Sequence, residues 1–202
     1  MKLLRLVPAA VLVFYANVAS AQNWFEYVNL EDQFTVNFPE DPTITESPYL
    51  SEYQSHFTAR KYAASDGTAD YEITVVDMAN SERAPGLRGN EWRGAVAFEA
   101  AKMRRTGEVT LDAYNEINVV PGIRLQLNLP DGRRQFSTIH FCYHNLYIIT
   151  ATAPANVPPP AIFIDSFSVV DGEGNSIRFL DEDYSFPDRI PIGRVAGQPV
   201  AN

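Results

Sequence analysis

Residues 123 to 153 constrain the fold more than any other stretch, because they read as two successive β-hairpins. Ile123, Leu125, Leu127 and Leu129 alternate with Arg124, Gln126 and Asn128, the period-two pattern of a strand with one buried face. Pro130-Asp131-Gly132 closes the strand. Proline presets the first turn angle and glycine takes the left-handed position of a three-residue loop with a bulge, which pairs Leu129 with Arg133. The next strand, Arg133 to Tyr143, is rich in aromatic and β-branched residues and stops at His144-Asn145, a predicted two-residue turn in which asparagine accepts positive φ. Leu146 to Ala153 returns.

Counting outward from the two turns assigns every side chain to a face, because neighbours alternate strictly. The first face collects Ile123, Leu125, Leu127, Leu129, Ile139, Phe141, Tyr143, Leu146 and Ile148, and is the predicted core face. The second collects Arg124, Gln126, Asn128, Arg134, Phe136, Thr138, His140, Cys142, Tyr147 and Ile149. A face of that mixed character is either partly solvated or covered by a more polar layer.

The amino-terminal residues carry the marks of an export signal. Lys2 and Arg5 precede a mostly apolar run from Leu6 to Val18, and Ala19-Ser20-Ala21 is a small-residue cleavage pattern. The run is short for a membrane span, so the expectation is a leader over residues 1–21, cleaved after Ala21, and a periplasmic or secreted protein that does not span the membrane. Removing Lys2 and Arg5 from 16 basic residues leaves 14 against 25 acidic ones, a formal charge of −11 that disfavours a nucleic-acid partner. Cys142 is the only cysteine, so no internal disulfide can form, and a small buried apolar residue is its default reading.

Along the rest of the chain, Trp24 to Val28 and Phe34 to Phe38 read as short strands around the polar turn Asn29-Leu30-Glu31-Asp32. Glu40 to Pro48, acidic and interrupted by prolines, reads as a loop. Tyr53 to Ala64 and Tyr71 to Asp77 read as a third hairpin around Ser65-Asp66-Gly67-Thr68. Ser81 to Gly89 is a linker. A long helix is predicted over Asn90 to Thr106, capped by Asn90, with Trp92, Ala95, Val96, Ala100 and Met103 as its core stripe and Gly107 after its end. Glu108 to Tyr114 and Val119-Val120 lead through Pro121-Gly122 into the central hairpins. Pro158-Pro159-Pro160 opens a short helix reaching about Asp165, and Phe167 to Val170 is a closing strand. One domain over residues 22–180 is expected, followed by an acidic, then Pro/Gly-rich tail over 181–202 that buries little. The sum is an α+β domain, an antiparallel β-sheet flanked by helices.

Two local patterns give a family likeness. Phe34-Thr35-Val36-Asn37-Phe38-Pro39 and Phe163-Ile164-Asp165-Ser166-Phe167 resemble the paired signatures of PsbP-like exported proteins, with a similar order of hairpin, long helix and meander between them. The resemblance covers most of residues 24 to 170. It implies an α/β/α sandwich and an accessory or assembly role with no shared active site.

The chemistry-bearing patterns are sparse. There is no G-x-S-x-G, H-E-x-x-H, phosphate-cradling glycine loop or C-x-x-C pair, so no catalytic residue and no cofactor is assigned. Asp165-Ser166 has no base near it in sequence, and a serine there is a local backbone hydrogen-bonder. His140, Cys142 and His144 would face one way on a straight strand, but His140 and His144 would then stand about 13 Å apart. That leaves His140 and Cys142, with distant His56, as a candidate metal set. Arg124, Gln126, Arg134, Phe136 and Tyr147, beside His140, combine charge and aromatics as protein interfaces do. The leading expectation is an exported, non-catalytic accessory protein acting on an envelope protein partner. The alternative is a metal- or small-ligand-binding protein using the His140 and Cys142 strand face.

Overall fold

A computed structural model describes residues 24–79 and 91–177. The predicted leader, the 81–89 linker, the Asn90 cap, the Trp92 side chain and the 181–202 tail lie outside the described residues.

Among the described residues, ten strands and two helices follow in the order β1 (Phe25–Asn29), β2 (Phe34–Phe38), β3 (Thr43–Leu50), β4 (His56–Ser65), β5 (Asp70–Asp77), α1 (Glu91–Met103), β6 (Glu108–Ile117), β7 (Val120–Asn128), β8 (Arg133–Cys142), β9 (Asn145–Pro154), α2 (Ala161–Ile164) and β10 (Ser168–Val169). Seven strands form one antiparallel sheet in the order β3-β4-β5-β9-β8-β7-β6, and three form a second in the order β1-β2-β10. This corrects the expected helix-flanked α+β sandwich. The domain is mostly β, and what lies over the second face of the large sheet is chiefly another sheet.

The Pro130-Asp131-Gly132 loop forms as the sequence dictates. Gly132 has φ +83°, the Leu129 N–H donates to the Arg133 carbonyl at 2.8 Å, and the Gly132 N–H donates back to Leu129 at 3.0 Å. The second turn differs. Cys142 pairs with Asn145, so the two turn residues are Tyr143 and His144, and Tyr143 carries the positive φ of 54°. Asn145 is drawn into the strand because its side-chain amide donates inward, to the Tyr147 hydroxyl at 3.3 Å and the Asp32 carbonyl at 3.4 Å. The register moves by two residues, one full period, so apart from Tyr143 at the turn the predicted faces survive unchanged.

Two more expectations fail locally. The predicted Glu40–Pro48 loop contains most of β3, an edge strand whose side chains are exposed except Tyr49, and an edge is where a strand proline is tolerated. Pro121-Gly122 is not a connection between strands. Both lie inside β7, opposite Glu116 and Asn115, and the turn is Asn118-Val119 with Asn118 at φ +56°.

The core is split by the large sheet. On the first face, α1 sets its small residues Ala95, Val96 and Ala100 and its Met103 against Leu125, Leu127, Ile139, Phe141 and Leu146. The Tyr49 hydroxyl donates to Glu99 of α1 at 2.9 Å, and Lys102 holds the same carboxylate at 2.7 Å. On the second face, Phe34, Val36 and Phe38 of β2, Phe163 and Ile164 of α2, and Phe167 cover Ile73, Phe136, Cys142, Tyr147 and Ile149. Each large side chain buried there contributes about 1.5–3 kcal/mol relative to exposure.

The two stretches that carry the family likeness meet in this layer. Phe38 and Phe163 have ring centroids 5.2 Å apart, Phe34 and Phe167 are 6.1 Å apart, and the Asn37 N–H donates to Ser166 Oγ at 2.9 Å. A polar network fixes the other end of the cover: the buried Asp32 carboxylate accepts from Arg60 Nε at 2.8 Å, from a second Arg60 nitrogen and from the Tyr62 hydroxyl. Tyr147 donates to the Asp32 carbonyl at 2.8 Å.

Candidate functional site

His140 lies on β8 at the centre of the second face and is fully buried. Its Nδ1 sits 3.2 Å from the Val120 carbonyl and its Nε2 3.2 Å from the Asn115 side-chain amide. A carbonyl only accepts and an amide N–H only donates, so the neutral tautomer with the proton on Nδ1 satisfies both atoms. Burial pushes the imidazole pKa down to about 4, with the backbone contacts opposing weakly. The Nε2 lone pair that a metal would need is already engaged by Asn115. Cys142 is on the same face and buried.

His56 is not brought to them. It begins β4 and is exposed, and β5 and β9 stand between β4 and β8. Three inter-strand steps of about 4.8 Å place it about 14 Å or more from His140. Among the described residues no group of three or more His, Cys, Asp or Glu is placed to hold a metal ion.

The predicted recognition residues divide between core and rim. Phe136 is buried, and Tyr147 is fully buried with burial pushing its hydroxyl pKa well up. The Arg134 guanidinium lies 5.2 Å from the Phe136 ring centroid and donates to the Val157 carbonyl, while its Nε is buried without a partner. Arg124 and Gln126 are half-buried on β7, where the small sheet no longer covers the large one. Leu111 of the edge strand β6 pairs with Gln126 and is 37% exposed. Leu111, Arg124, Gln126 and Arg134 therefore form an open strip, two cations and an apolar side chain on an otherwise acidic molecule.

Beside that strip is a cleft of about 460 Å³ between the end of the β6–β7 hairpin and the segment joining α2 to β10. Arg124 crosses it, its Nη2 3.0 Å from Asp165 Oδ1. Asn115 and Glu116 line one wall, Ser166 and Ser168 the other, and Thr138, the cross-strand partner of Arg124, lies with them. Ser166 is used structurally: it accepts from Asn37 and donates to the Phe163 carbonyl at 3.0 Å. Thr138 is 1% exposed and its hydroxyl has no hydrogen-bond partner. A second cleft, of about 400 Å³, lies at the opposite end of the cover and includes His56, Glu46 and Asp77.

Asn115, Thr138, Asp32 and Arg60 were not legible as site or network residues. Asn115 reaches His140 across 25 positions and Arg60 reaches Asp32 across 28, and no local pattern marks either contact. Thr138 was visible only as a hydroxyl on a mixed face.

No described helix is long and apolar enough to cross a membrane. No family model matches the chain, and no curated protein matches it.

Proposed function

We propose that this protein is an exported, non-catalytic accessory protein that binds an envelope protein partner through the open strip of the large sheet. The observation that carries the reading is the placement of Arg124, Gln126 and Arg134 with Leu111 where the covering layer ends. Charge beside exposed apolar surface is the composition of a recognition patch, with arginine enriched at such sites. The formal charge of −9 over the whole sequence makes the two arginines a local exception, and an acidic partner surface is the complementary one. The paired patterns that resemble PsbP-like exported proteins support the same class of role. His140, neutral and with both nitrogens engaged, supports a structural use of that side chain.

The test is in-cell crosslinking of the tagged protein followed by capture and mass spectrometry against an untagged control. One dominant partner is expected, lost with Gln126→Glu and Leu111→Asp and retained with the remote Lys61→Ala. A partner captured equally by all variants would place the interface elsewhere, and reproducible turnover by the purified protein would sink the non-catalytic reading.

A further inference from the structure

We propose that the cleft between the β6–β7 hairpin and the α2–β10 segment binds a neutral polyhydroxylated ligand, a mono- or disaccharide or a cyclic polyol. The first observation is the Thr138 hydroxyl. It is buried and unpartnered beside the cleft, whereas the neighbouring Ser137, on the opposite face, meets Thr150 Oγ1 at 3.0 Å. A buried hydroxyl without a partner costs free energy that a methyl in its place would not, so its presence calls for a missing partner.

The second observation is the chemistry of the walls. The Arg124–Asp165 pair uses one guanidinium nitrogen and one carboxylate oxygen. The remaining guanidinium donors and Asp165 Oδ2 have no partner within the described protein, and neither has the Asn115 side-chain carbonyl, since Asn115 engages His140 only through its nitrogen. Donors and acceptors side by side match a ligand hydroxyl, which is both.

Charge then selects among ligands. The Arg124–Asp165 pair is neutral overall, so a small anion in this cleft would have to compete with Asp165 for the guanidinium. Glu116, paired with Pro121, turns its carboxylate to the other face of β6, where it accepts from the Tyr114 hydroxyl at 2.8 Å, and the Asp165 charge is already balanced by Arg124, so a cation finds no uncompensated carboxylate. A neutral ligand keeps the ion pair and uses its spare positions. The volume of about 460 Å³ falls in the range of small-molecule sites. In the bound state the Arg124 side chain shifts enough for one ligand hydroxyl to reach Thr138 Oγ1, its cross-strand neighbour.

This site shares Arg124 with the partner reading, but the two are distinguishable, since ligand binding depends on Thr138 and Asp165 and partner binding on Leu111 and Gln126. The experiment is NMR titration of the isotope-labelled full chain with maltose, N-acetylglucosamine and myo-inositol, and with succinate and putrescine as charged probes. At least one neutral probe is expected to give saturable shifts confined to the amides of residues 115–118, 138 and 165–168. Thr138→Val should raise the unliganded melting temperature by about 2–4 °C and weaken that binding about tenfold. The proposal is overturned if no neutral probe shifts those amides, if only succinate or putrescine does, or if Thr138→Val binds as tightly as the parent.

Discussion

Gly122 and His140 face each other across β7 and β8 with no room for a side chain between them. A methyl group on Gly122 would come within 2.5 Å of His140 Nδ1 and 2.2 Å of the Ile139 carbonyl oxygen. The bare backbone at Gly122 is thus what lets the imidazole lie flat against β7 and reach the Val120 carbonyl. Gly122→Ala is expected to destabilise the protein by about 1–3 kcal/mol, the usual cost of forcing atoms into a filled core. Urea unfolding measures it, and an unchanged midpoint would mean that the two strands do not approach this closely.

His140 makes stability depend on pH. Its folded pKa is pushed down to about 4 against about 6.5 in the unfolded chain, so between those values the unfolded state binds the extra proton. The contribution is fully present above pH 6.5, falls as pH drops through the window, and is gone near pH 4, amounting to about 3 kcal/mol. Unfolding curves at pH 4.5 and pH 7 should therefore diverge more for the parent than for His140→Gln. Equal divergence would show that other groups set the acid limit.

Asp32 is fully buried and Arg60 is its main counter-charge, so removing the arginine strands a carboxylate in the core. Arg60→Ala is expected to cost about 3 kcal/mol or more. Lys61→Ala, one residue on, breaks the exposed pair with Glu72 and should cost less than about 1 kcal/mol. Comparable losses from the two substitutions would contradict the burial of Asp32.

Cys142 is 1% exposed, which shields its sulfur from reagents. Alkylation by iodoacetamide should be negligible under native conditions and should rise with the population of opened molecules as urea is added. Fast labelling without denaturant would show that the layer over the second face opens readily.

Tyr49 ties β3 to α1 through Glu99, and both side chains are mostly buried. Tyr49→Phe removes one donor from a carboxylate that Lys102 still holds, so the expected loss is about 1–2 kcal/mol. Hydrogen exchange in α1 should accelerate relative to β8 and β9. Uniform acceleration across all three would mean that the helix does not open separately.

Alternation within residues 123 to 153 was sufficient to sort Leu125, Leu127, Ile139 and Leu146 from Phe136, Cys142 and Tyr147. It remained sufficient despite the misplaced turn, because an error of two residues is one full strand period. The Pro130-Asp131-Gly132 loop was legible for a similar reason, since its geometry is dictated by the residues within it. Pro121-Gly122 misled because a glycine that permits close approach inside a strand carries the same letter as a glycine that separates two strands. β3 was hidden by Glu46 and Pro48 within it and by the acidic, proline-containing residues just before it, which suit an edge strand as well as a loop.

The sequence by itself determined the strands of the central hairpins, the two faces they present and the residues that cannot be left in water. Only the tertiary structure decided that the mixed face is covered by β1, β2, β10 and α2, that His140 is thereby buried and neutral, and that the cover stops at Arg124. The physical reason is range. Periodicity records a strand's own two sides, whereas the layer over them is set by contacts such as Asn37 with Ser166, 129 positions apart, and those depend on how whole faces fit.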